Sequence, residues 1–131
     1  MRAVKSRGAR CALLAALALG VAACEEHGPG SLTASVTAPV PTGAVVVELT
    51  GARITGFEGV GDSRAFAADL QPADTILRVI VLTPTGGASL KFRVKVEDVG
   101  EAPPRGAVVD AVDPANRKIT ALTGYTVRIS K

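Results

Sequence analysis

The chain has 131 residues, 15 Lys and Arg against 12 Asp and Glu, one histidine, two cysteines and no tryptophan. That length suits one modest domain. A lone histidine, His27, argues against a Ser-His-Asp arrangement and excludes a histidine-based zinc site, while the lack of tryptophan argues against a sugar-stacking platform.

Residues 1–10 carry Arg2, Lys5, Arg7 and Arg10 and no acid, and residues 11–23 carry no charge. A basic start, an apolar run and small residues at its end describe an export leader. The run is shorter than the roughly 20 residues a helix needs to cross a bilayer. It closes on Val21-Ala22-Ala23-Cys24, which closely resembles the processing box of bacterial lipoproteins. Small side chains at Ala22 and Ala23 leave room for a peptidase to grip extended backbone. The resemblance implies a cut between Ala23 and Cys24, with a thioether-linked diacylglycerol on Cys24 and an acyl chain such as palmitate on its amine. Each buried methylene contributes about 0.8 kcal/mol, so two or three chains hold where one does not. The bland alternative is a secretory leader with Cys24 an ordinary thiol. Cys11 falls inside the leader.

Removing the leader changes the charge. The 108 residues from Cys24 keep 11 bases against 12 acids, so the mature chain is near −1 and scatters its cations singly. A nucleic-acid partner is not expected. No second cysteine remains, so no disulfide supports the domain.

Residues 24–31 read as a flexible tether, with Glu25-Glu26-His27-Gly28-Pro29-Gly30-Ser31 polar and rich in turn formers. Glu25 stands where lipoprotein sorting signals are read and leaves inner or outer membrane open. Residues 32–131 read as a β domain. Leu32–Thr37 alternates as a half-buried strand, Ala38-Pro39-Val40-Pro41-Thr42-Gly43 breaks it, and Ala44–Leu49 is a β-branched strand. Arg53–Phe57 is a shorter strand, and Gly59 and Gly61 mark a loop or bulge that lacks the pattern of a phosphate loop. Residues 63–72 read as strand or helical turn. Thr75–Leu82, the most apolar stretch of the mature chain, is expected as a central strand buried on both faces.

Residues 89–97 alternate cleanly, with Leu90, Phe92, Val94 and Val96 on one side and Lys91, Arg93, Lys95 and Glu97 on the other. The three cations suggest either an anion site or a solvated face that guards a strand against aggregation; the second is the reading taken from sequence. Ala107–Val112 is a further strand. Asp113-Pro114-Ala115-Asn116 suits a type I turn. Ile119–Leu122 and Tyr125–Ile129 close the sheet. Eight or nine short strands with turn signals between them predict an all-β, two-sheet antiparallel sandwich.

Asp110, Asp113 and Asn116 offer hard oxygen atoms at a spacing that could hold calcium, without the ligand order of an EF-hand. Otherwise neither metal nor further cofactor is expected. From Ala44 onward, Val45–Gly51, Phe57–Gly61, Ser89–Val96 and Gly124–Ile129 resemble in order the strands of cohesin-like domains of bacterial extracellular proteins. That resemblance implies a jelly-roll-like sandwich used for protein binding. The expected function is a lipid-anchored, non-catalytic envelope protein that binds protein or envelope material through a sheet face or end loops. A structural part in an envelope complex and a carboxylate-dependent cell-wall glycan hydrolase are the rival expectations.

Overall fold

The computed structural model describes residues 26–67 and 76–131. The leader, Ala23, Cys24 and residues 68–75 lie outside the described residues. The rest is all-β and antiparallel: β1 (Gly30–Thr50), β2 (Ile54–Gly59), β3 (Arg64–Ala67), β4 (Ile76–Val96), β5 (Arg105–Val112) and β6 (Thr126–Ser130).

Two strands of 21 residues, β1 and β4, organise everything else. They pair along their whole length, from Gly30 opposite Val96 to Thr50 opposite Ile76. Each is kinked once, at the same level. The register slips between Thr37 and Thr42 and again before Ala44, opposite the stretch between Leu82 and Ser89. On one side of the kink the order is β2–β4–β1–β6; on the other it is β3–β4–β1–β5. The six-stranded network thus doubles over into two four-stranded halves packed face to face.

The prolines place the kink. Pro39, Pro41 and Pro84 lie where no ladder pair forms, so their missing N–H groups cost no hydrogen bond. The expected break at 38–43 is therefore a bend within one strand. The same holds for Pro84 and Gly86-Gly87. Two pairs of expected strands merge in this way, and residues 119–122 form no strand, the local contact being a single bridge between Lys118 and Val112. These changes reduce eight or nine strands to six.

Inward-facing residues of both halves form one core: Leu32, Ala34, Val36, Leu90, Phe92, Val94 and Val96 from one, Val45, Val47, Leu49, Val79, Val81 and Ala111 from the other. Phe57 tilts against Phe92, with ring centroids 6.3 Å apart. Tyr125, Val127 and Ile129 pack on this core as their shared parity requires. Gly106 lets the β5 and β6 edges meet, since a Cβ there would lie 2.7 Å from Val127 Cγ1.

Thr42 is the one fully buried polar residue at the kink. Its hydroxyl donates to the Val40 carbonyl at 2.9 Å and accepts from Tyr125 Oη at 2.7 Å. Replacing Thr42 with valine should cost about 1–2 kcal/mol, because Val40 loses its donor and Tyr125 must turn to water. A urea midpoint shift without a change in slope would show it; an unchanged midpoint would mean the hydroxyl does not hold the bend.

The strand β1 begins two residues before Leu32, and the expected tether is not free. The Gly28 amide donates to Asp98 Oδ1 at 2.9 Å, Val99 donates to the Gly28 carbonyl at 2.9 Å, and His27 Nδ1 lies 3.5 Å from Asp98. Residues 27–31 therefore belong to the domain. Pairing with Asp98 and with β4 overrides their turn-forming composition.

Candidate functional site

The most apolar strand is central but not covered on both faces. In the first half of β4, Leu77, Val79 and Val81 are buried, while Ile76, Ile80 and Leu82 are 55, 46 and 37 % exposed. Among the described residues no third layer lies outside this half. Register carries the exposed positions across the sheet: Phe66, Ile80, Val46 and Asp110 form one row, and Arg64, Leu82, Ala44 and Val112 the next. Phe66 is 52 % exposed. The result is an apolar stripe across four strands, with a depression of about 70 Å³ between Val46, Ile80, Asp110 and Val112. Charges flank it: Arg78 and Glu48 are paired at 3.2 Å in the row beyond Ile80. Such a stripe on a rigid sheet can bury a partner's apolar side chains.

A second feature sits at the β2–β3 turn, where the Ser63 amide donates to the Val60 carbonyl at 3.1 Å. Glu58, Asp62, Arg64, Phe57, Phe66 and Thr85 line an open cleft of about 650 Å³ there. An adjoining cleft of about 350 Å³ reaches Ser89 and Lys91. Glycine spacing alone did not reveal this grouping, because its members come from β2, β3 and the kink of β4.

The opposite outer face is polar. Lys91 and Arg128 both stand opposite Ser35, Arg93 stands opposite Thr33 and Glu58, and Lys95 opposite Ser31.

Asp110, Asp113 and Asn116 are placed at the end of β5 and its turn, where both carboxylates accept hydrogen bonds from the protein itself. Asp110 Oδ1 accepts from the Ala111 amide at 2.9 Å. Asp113 Oδ1 accepts from the amides of Ala115 and Arg117 at 2.9 and 2.8 Å, and Oδ2 from Arg117 Nε at 2.9 Å. The Asn116 amide closes the expected turn on the Asp113 carbonyl at 2.9 Å, with Asn116 itself at φ 62°. Pro114 packs against Gly86, where a Cβ would lie 2.5 Å from its Cγ. The Asp113 carboxylate thus serves the turn. Among the described residues no group of three or more His, Cys, Asp or Glu could hold a metal ion. No helix among them is long and apolar enough to cross a membrane.

Asp113 titrates below the usual carboxylate range, chiefly because the Arg117 amide and then its guanidinium favour the ionised form. Asp98 is lowered mainly by the amides of Gly28 and Gly100, with His27 adding attraction. A lowered folded value means stabilisation that is present above the unfolded value, near 3.8, and lost as pH falls through the folded one. Unfolding midpoints should therefore hold from neutral pH to about pH 4 and then decline. Asp98→Asn and Asp113→Asn should each flatten that acid limb. An unchanged limb in both variants would show that neither carboxylate is coupled to folding.

No known protein family, curated protein or solved structure matches this chain. The functional reading therefore rests on its own residues and geometry.

Proposed function

We propose that the protein is a lipid-anchored component of the cell envelope whose β-sandwich is a non-catalytic binding module. The anchor is the diacylglycerol and acyl chain on Cys24. The binding face is the apolar stripe Phe66–Ile80–Val46 with Leu82 and Ala44, and its occupant is an envelope protein presenting an apolar strip. The observation that carries this reading is the half-exposure of Ile80 on the inner strand β4 and of Phe66 beside it on the edge strand β3. Large apolar residues held rigidly in water at low conformational-entropy cost suit an interface. Asp110 and Asp113 both accept hydrogen bonds from backbone amides, which supports this reading over a carboxylate-dependent hydrolase.

A Phe66→Glu, Ile80→Glu double variant should keep its fold and lose the partner that the unaltered protein retains from envelope extracts. Loss of a central apolar anchor costs 2 kcal/mol or more, so retention should fall by about thirtyfold or more. Equal retention by both proteins would remove the stripe from the binding surface.

A further inference from the structure

We infer that the outer face of the β2–β4–β1–β6 half is a docking surface for the anionic headgroups of the membrane that holds the anchor. The inference rests on the lipid-anchor reading. Four cations share this face: Lys91, Arg93 and Lys95 on β4 and Arg128 on β6. Ladder register places Lys91 and Arg128 on either side of Ser35, two strand spacings, or about 10 Å, apart. Lys91 to Lys95 then extend along β4 at alternate positions. Glu58, opposite Arg93, is the one acid in these rows, and Glu97, next beyond Lys95 on the same side, is balanced by Arg53 at 3.4 Å. The ion pairs of the described residues engage Arg53, Arg78, Arg117 and His27, and none of the four cations. Between the cations lie Ser31, Thr33, Ser35 and Ser130, short hydroxyls that can donate to phosphate oxygens.

The strand-guarding explanation loses its basis here. Guard charges protect an edge strand, whereas this part of β4 is flanked by β2 on one side and β1 on the other. The docked chain start adds a second argument. Because Asp98 holds His27 and Gly28, only two residues, Glu25 and Glu26, separate the domain from Cys24, three Cα steps in all. Fully extended they reach about 10 Å. The start of β1 is also the Lys95 end of this face, since Ser31 stands opposite Lys95. A short leash at that end holds Lys95 close to the surface, at about the range over which charges act at physiological salt, and the rest of the face can then lie down along it. The mature chain is near neutral, so it is the one-sided placement of charge that orients it. Each cation near an anionic surface favours contact roughly fivefold, so four cations and one acid favour this face by about a hundredfold.

The test uses the full-length, processed and lipidated protein in vesicles of neutral phospholipid, with and without phosphatidylglycerol. A fluorophore is attached through Ser35→Cys on the face, or Ala107→Cys on the opposite half as the control. Neutral aqueous quencher should reach the Ser35 probe severalfold more slowly on anionic vesicles than on neutral ones, and the Ala107 probe equally on both. High salt, or Lys91→Gln with Arg93→Gln, Lys95→Gln and Arg128→Gln, should restore the neutral-vesicle rate. Equal access on both vesicles, or protection that survives salt and the four substitutions, would overturn the inference. Failure of the anchor reading is separate: the protein would carry no diacylglycerol by mass and would not insert into either vesicle.

Discussion

Phe92→Ala should bring the domain close to unfolding at physiological temperature. Phe92 is fully buried at the centre of the core, on a strand flanked by β1 and β2, and its ring packs against Phe57. Truncation removes the largest side chain of the core and leaves a cavity that two hydrogen-bonded neighbours prevent from collapsing. Such changes cost about 3–5 kcal/mol. The whole domain has about 5–15 kcal/mol to lose, and from Glu25 onward the chain has no cysteine to brace it. A fall in Tm of roughly 12–40 °C follows at 4–8 °C per kcal/mol. Phe66→Ala is the matched control. Phe66 is 52 % exposed on an outer face, so its loss should change stability by about 0.5 kcal/mol or less. Similar losses in the two variants would contradict the division of the sheet into a packed inner face and an uncovered outer one.

Cys24→Ser should release the protein from firm membrane attachment. The thiol is the atom that receives diacylglycerol in this reading, and serine cannot form the thioether. Two or three acyl chains each bury many methylenes at about 0.8 kcal/mol apiece, whereas the 13-residue apolar run of the leader falls short of the roughly 20 residues of a span. The expected outcome is loss of palmitate labelling, retention of the leader in the product, and extraction by washes that leave the unaltered protein in place. A serine variant that fractionates and labels like the original would remove the anchor from the account.

Much of the architecture was legible in the residues. Leu90-x-Phe92-x-Val94-x-Val96 against Lys91, Arg93 and Lys95 specifies an inner and an outer face, and the structure keeps both. Tyr125, Val127 and Ile129 sort by the same parity. What local pattern could not give was continuity. Pro39, Pro41 and Pro84 read as strand ends, yet they occupy unpaired positions at a shared kink, which only the pairing of β1 with β4 defines. The run Ile76–Leu82 read as buried on both faces because a continuous apolar segment does not reveal which of its sides is covered. Its outer face is the proposed binding stripe. Residues 27–31 read as a tether because the carboxylate that holds them, Asp98, lies 70 residues from Gly28. The clustering of Arg128 with the β4 cations and of Asp62 with Glu58 and Arg64 is likewise a product of register and turn, and leaves no mark at short range.

The central claim is that lipid on Cys24 fixes where this sandwich works. Mass measurement of the N-terminal peptide of the protein purified from membranes tests it most directly. The account predicts a chain beginning at Cys24, heavier by a diacylglyceryl group and a fatty acyl chain. A chain that begins elsewhere, or begins at Cys24 with a free thiol and a free amine, would contradict it.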